Sequence, residues 1–361
     1  MFAFMLAAAG CVSPCSNGVD YAADAAFVAE YREAALDIAR RKMNELEKAG
    51  CRTTKRTDLR TRIATGGSFS GYFLWDTAFA AIWASRLPIQ SFPAAESLDN
   101  LYALADENGF INREYTENGV PVWNPSHPIA FAPPILTWAE MELFKSGRAD
   151  VQRLKTVYAK LKRHHIFCRA HYRRADGLYF GDQLGCGMDD LRRWPNGWTA
   201  DQLMTSGGIP FTADSIGLES KHFMKEAWLS ESLPARHWNR QMGWVDMTAQ
   251  MALDAMMLCE MADKIDEVAE ASAWRAEYAE LGEIVNRLCW NDEMGFYGDY
   301  HEGEVLPRKC AAAFWVLLAK LAPHDRAVRM RNVMMDERFF FRPVPFPALS
   351  ADDPRYAPET G

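Results

Sequence analysis

From residue 267 to 289 an apolar side chain returns every three or four residues: Val268, Ala271, Trp274, Tyr278, Leu281, Val285 and Leu288. That step matches the turn of an α-helix and puts all seven on one face. A stripe of this kind has to be buried against another element. Similar helical patterns run near residues 23–49, 75–86, 93–105, 129–146, 151–171, 247–264, 310–321 and 324–336, and long period-two alternation is absent. The expected fold class is all-α. Short β pieces are expected only beside turns, such as Phe110–Tyr115 between Asn108-Gly109 and Asn118-Gly119.

A repeat refines this expectation. Asp106-Glu-Asn-Gly109-Phe110, Asp176-Gly177-Leu178-Tyr179 and Asp292-Glu-Met-Gly295-Phe296-Tyr297 are similar turns, each after a helical stretch, with glycines 68 and then 118 residues apart. The second spacing is twice 59, so a unit of about 60 residues, two helices and one turn, accounts for both. Turns of the form D-x-x-G also arise by coincidence in unrelated chains.

Composition narrows the partners. In 361 residues, 49% are hydrophobic and 24% charged, which excludes a disordered or fibrous chain. Forty Lys and Arg against 48 Asp and Glu leave a net charge of −8 with no basic stripe, so nucleic acid is not the expected partner. The 12 Trp, 12 Tyr and 20 Phe suit core packing first, and also stacking on the C–H faces of sugars. The eight cysteines form no C-x-x-C pair and no metal-spaced cluster with histidine, so no metal site is expected. Cys259, Cys289 and Cys310 fall within apolar helical patterns and read as small hydrophobes.

No apolar run reaches the roughly 20 residues that span a bilayer. The start, Met1-Phe-Ala-Phe-Met-Leu-Ala-Ala-Ala-Gly-Cys11, resembles the end of a bacterial lipoprotein signal with Cys11 as the lipidated residue, although the basic leader segment is missing. Residues 1–21 are therefore expected to be a signal remnant and tether, and residues 22–361 one domain. Such a protein is exported, periplasmic or on the outer surface, and touches a membrane only through its lipid; an ordinary apolar N-terminus leaves it cytoplasmic.

Four stretches are polar and aromatic where a structural loop is usually bland. The first is Gly66-Gly-Ser-Phe-Ser-Gly-Tyr72-Phe-Leu-Trp75-Asp76-Thr77, where Asp76 also reads as a helix cap. The second is Asn112-Arg113-Glu114-Tyr115 followed by Trp123-Asn124-Pro125-Ser126-His127-Pro128. The third is Gly185-Cys186-Gly187-Met188-Asp189-Asp190-Leu-Arg192-Arg193-Trp194, and the fourth Gly243-Trp244-Val245-Asp246-Met247, where Asp246 again fits a cap. In the third, adjacent aspartates beside cations and an aromatic plate could supply a carboxyl with a raised pKa, as a proton donor to a departing alcohol needs. A solvated Asp-Asp/Arg-Arg loop fits that segment equally well.

Trp75-Asp76, the Gly109-Phe-Ile-Asn-Arg113-Glu114 turn and Gly187-Met-Asp189-Asp190-Leu-Arg-Arg193-Trp194 together resemble the signature stretches of glycoside hydrolase family 63 and its relatives, among them mannosylglycerate hydrolase and, more distantly, trehalase. The resemblance covers roughly residues 60–361. It implies an (α/α)6 toroid, six helical hairpins with inner helices around a sugar funnel, and hydrolysis of an α-glycosidic bond with inversion, without metal or organic cofactor. It maps the general acid onto Asp189. It puts Tyr72, Trp75, Asp76, Arg113, Glu114, Trp123, His127, Asp190, Arg193, Trp194 and Asp246 at the carbohydrate. An inverting pair of carboxyls stands roughly 6.5–9.5 Å apart, with a water between.

One departure accompanies the resemblance. Relatives carry a Y-W-R-G-x-x-W stretch and then a glutamate base beyond the equivalent of Asp352-Asp-Pro-Arg-Tyr356, and neither motif occurs here. The toroid is thus expected to lack its final helices, and the chain to be catalytically inactive for want of the base. Other readings are a sugar-binding protein without catalysis, a toroidal sugar epimerase or isomerase that relies on histidines, of which there are eight, and a helical scaffold for protein partners.

Overall fold

The computed structural model describes residues 21–49, 51–52, 59–60, 62–63, 71–87, 92–123, 125, 130–182, 186, 188, 191, 193, 238–344 and 346–358. Nine α-helices of five or more residues occur among them: α1 (Tyr21–Ala49), α2 (Leu74–Ser85), α3 (Ala94–Ala103), α4 (Leu136–Lys145), α5 (Val151–Tyr172), α6 (Val245–Lys264), α7 (Val268–Leu288), α8 (Phe314–Leu318) and α9 (His324–Met334). The all-α expectation holds. The largest sheet among the described residues has three strands of two residues each, Met242–Gly243, Tyr300–His301 and Glu304–Val305.

The helices fall into two layers. Helices α2, α4, α6 and α8 touch in that order, and α3, α5 and α7 back onto α2, α4 and α6. Burial separates the layers, because α6 is covered on nearly every face whereas α9 buries only Met330 and Met334. An inner helix therefore reads as apolar all round and an outer one as a stripe. Successive inner helices run the same way, since each outer helix returns the chain to the starting end. Their N-termini thus share one end of the molecule.

The three repeated turns occupy equivalent places. Gly109, Gly177 and Gly295 follow the outer helices α3, α5 and α7 with φ of 86°, 91° and 60°, a region where glycine avoids the strain a side chain would meet. Each also leans on the next outer helix. A Cβ on Gly109 would lie 2.6 Å from the Arg163 Cβ on α5, one on Gly177 2.5 Å from the Ile284 Cδ1 on α7, and one on Gly295 3.5 Å from the Arg329 Nε on α9. The roughly 60-residue unit is therefore a physical unit of packing.

Two helices are shorter than their patterns. The stretch 129–146 turns helical only at Leu136, because Pro133 and Pro134 lack the N–H that a helix interior uses. The stretch 310–321 opens with a 3₁₀ turn, Ala311–Ala313, and α8 ends before Lys320, which has a φ of 57°. Within Phe110–Tyr115 only Glu114–Tyr115 is a strand, and it pairs with Tyr72–Phe73. Cys168, Cys259, Cys289 and Cys310 are free thiols and, like Cys186, buried. No described helix is long and apolar enough to cross a membrane.

Candidate active site

Two corners at the shared end of the inner helices gather the described candidates. The first lies where the chain enters α2. The antiparallel pair Tyr72–Phe73 and Glu114–Tyr115 straps that entry, and the Leu74 N–H donates to the Arg113 carbonyl at 3.0 Å. The Trp123 indole N–H donates to Glu114 Oε2 at 3.0 Å, and the Arg113 guanidinium lies 5.1 Å above the Trp123 ring with its Nη2 3.7 Å from the same carboxylate. Asn112 fixes the loop by donating to the Trp123 carbonyl at 2.5 Å. Sequence distance between Arg113 and Trp123 is thus closed by hydrogen bonds that neither residue announces alone.

Asp76 sits in the first turn of α2, which has no side-chain cap. Burial raises its carboxyl above the ordinary aspartate range; its own backbone N–H and Arg113 oppose the rise, and Glu114 adds to it. The Tyr72 hydroxyl and Arg113 Nη1 are buried with no hydrogen-bond partner. Buried polar atoms of this kind are uncommon and cost stability. Trp75 leads an aromatic group: its ring is 4.6 Å from Phe79 on the same helix and 5.9 Å from Trp315 on α8, which lies 6.5 Å from Trp138 on α4.

The second corner lies where the chain enters α6. Arg193 and Asp246 are both fully buried and bound to each other, Nη1 to Oδ2 at 2.6 Å and Nη2 to Oδ1 at 2.8 Å. Asp299 completes the group, accepting from Arg193 Nε at 2.9 Å and Nη2 at 2.6 Å. Sequence reasoning missed Asp299, since Gly298-Asp299-Tyr300 offers no motif; only its place just after the third repeated turn pointed there. Helix α8 links the corners. Trp315 touches Trp75, and Cys310, just before α8, lies near enough to Arg193, Asp299 and Asp246 to feel their charges.

The structure thus brings Tyr72, Trp75, Asp76, Arg113, Glu114 and Trp123 to one corner and Arg193 with Asp246 to the other. Asp189, Asp190, Trp194, His127 and Cys11 lie outside the described residues. Among the described residues no three His, Cys, Asp or Glu side chains are grouped to hold a metal ion.

A partly open corner of carboxylates, a cation and indole rings, at the mouth of a two-layered ring of helices, suits a polyhydroxylated ligand. A family model described as the mannosylglycerate hydrolase MGH1-like glycoside hydrolase domain matches residues 70–360. The chain belongs to this glycoside hydrolase family. Its fold is that of the family-63 (α/α)6 toroids. The mannosylglycerate hydrolase of Thermus thermophilus in complex with glucose is similar at a TM-score of 0.65 and 18% identity, over 89% of this chain and 81% of that one. The same enzyme with Tris and D-glycerate gives 0.63 and 18%, over 89% and 82%. No curated protein sequence gives a significant match.

Proposed function

We propose that this glycosidase hydrolyses the bond of a small α-glucoside or α-mannoside, an oligosaccharide or a glycosylated small molecule, with inversion at the anomeric carbon. Asp189 acts as general acid, protonating the departing oxygen. Asp76, Arg113, Glu114, Tyr72 and the rings of Trp75 and Trp123 hold the sugar. The observation that carries the reading is the first corner itself: Tyr72 and Arg113 keep buried, unpartnered polar atoms beside a desolvated carboxylate, and ring hydroxyls would satisfy them. A similar toroid has been solved in complex with glucose, which fits a pyranose there.

No glutamate within residues 1–361 carries the motif of the general base, so the base is left unassigned. Two of the described histidines, His164 and His165, face into the wall between α5 and its neighbours, away from either corner, whereas His301, paired through its strand with Met242 just before α6, leaves the epimerase reading one candidate. Release of reducing sugar from α-glucosides, α-mannosides and trehalose tests the proposal. Turnover that Asp189→Asn reduces by about 10²-fold or more supports it. Saturable sugar binding without turnover would favour the non-catalytic reading.

A further inference from the structure

The C-terminal half of α5 faces the part of the chain that carries Arg113, Glu114 and Trp123. The Ile111 N–H donates to His164 Nδ1 at 3.0 Å, and the Phe110 ring lies 4.6 Å from that of Phe167. Tyr172, the last residue of the helix and fully buried, makes two contacts further along. Its hydroxyl donates to the Pro125 carbonyl at 2.6 Å. Its ring stacks on Phe131, with 4.4 Å between centroids and 3° between planes. A phenylalanine would stack equally well, so what the hydroxyl adds is the bond to Pro125.

Trp123 is anchored unequally on its two sides. Before it, the Val122 N–H donates to the Glu114 carbonyl at 3.0 Å, Tyr115 bridges Pro121, and Asn112 holds the carbonyl of Trp123 itself. After it, the first backbone tie among the described residues is the Pro125 carbonyl on Tyr172. The indole between these anchors is the one whose N–H reaches Glu114 and over which Arg113 lies. A shift of the backbone at Pro125 therefore tilts a ring that closes one side of the α2 corner. We propose that Tyr172 is a positioning residue for the sugar site: its hydroxyl holds the Pro125 backbone and so sets the plane in which the Trp123 ring meets the sugar. This rests on the reading of the α2 corner as the sugar site. That corner then takes part of its support from the neighbouring hairpin of α4 and α5, and not from the entry to α2 alone.

A group that acts through Trp123 differs from one that only stabilises the fold in a double-mutant cycle. Binding of methyl α-glucoside and methyl α-mannoside is measured by calorimetry for the 361-residue chain, for Tyr172→Phe, for Trp123→Leu and for the double variant. Tyr172→Phe keeps the stacked ring and removes the hydroxyl alone. It is expected to weaken the better ligand about fivefold, and Trp123→Leu about tenfold. With Trp123 already leucine, Tyr172→Phe should cost less than about twofold, because no plate is left to aim. Phe131→Leu loosens the Tyr172 ring without touching its hydroxyl. It should give the same pattern more weakly, and it serves if the phenylalanine variant does not fold. An equal loss with and without Trp123, or no loss in either, overturns the positioning role. A wild type that binds neither glycoside, or a Trp123→Leu variant that binds as the wild type does, overturns the sugar reading of the corner instead.

Discussion

At the entry to α2, Arg113 keeps a buried Nη1 without a partner and Tyr72 a buried hydroxyl, whereas at the entry to α6 every donor of Arg193 is bound within the protein. The α6 side is tied again further along its length, although Gln250 on the same helix keeps both amide atoms buried without a partner. Below Asp246, His165 on α5 bonds Asp254 on α6 at 2.7 Å through Nδ1 and Glu277 on α7 at 3.1 Å through Nε2, and Glu277 takes Arg169 at 2.6 Å. Unmet buried hydrogen bonds typically cost ~1–3 kcal/mol each, so the entry to α2 gives up stability that the entry to α6 does not. Sites that bind a ligand commonly do so, and walls that hold such sites in place do not.

Charge removal should separate the two sides most. Arg193→Met leaves two buried carboxylates without their cation and is expected to cost about 3–5 kcal/mol in urea unfolding. Arg113→Met should cost less than about 1 kcal/mol while abolishing measurable sugar binding by calorimetry. Similar stability losses for the two would erase the distinction.

The next effect follows pH. Burial alone would lower the His165 pKa, but its bonds to Asp254 and Glu277 prevail and raise it to about 9. The folded value lies above the ordinary 6.5, so this stabilisation is full below about pH 6.5 and is lost as pH rises through 9, about 3 kcal/mol in all. Burial, helped by the charge on His165, lowers His164 to about 3. Its contribution is full above pH 6.5 and is lost as pH falls towards 3. Urea midpoints should therefore peak near pH 6.5, and His165→Gln should flatten the alkaline limb and, by removing a charge beside His164, the acid limb more weakly. An unchanged alkaline limb in that variant would mean the imidazole is neutral.

The smallest change in stability is expected at Asp76. Burial already disfavours its charge, so Asp76→Asn should leave unfolding within about 1 kcal/mol of wild type while weakening sugar binding about tenfold, or ~1.4 kcal/mol. A stability loss above about 2 kcal/mol would make Asp76 part of the wall.

Much of the ring was legible before any coordinates. Helices and repeat are local signals, and Gly109, Gly177 and Gly295 carried the period because their backbone suits glycine and, at Gly109 and Gly177, so does the close contact with the next outer helix. The α2 corner was also visible, since Trp75-Asp76 and Arg113-Glu114 stand at helix and strand boundaries. The partnership of Arg193 with Asp246 and Asp299 was not, because it joins residues 53 and 106 apart through side chains alone. Sequence placed Arg193 and Asp246 at the sugar, and burial places them against each other. Pro133-Pro134 marked a helix boundary that apolar spacing overran.

The most direct test of the account follows the first product of an α-glycoside by proton NMR, before mutarotation. Release of the β-anomer first is the expected result, since the acid and base of an inverting pair act on opposite faces of the sugar. Release of the α-anomer first, or no hydrolysis of any α-glycoside, would contradict it.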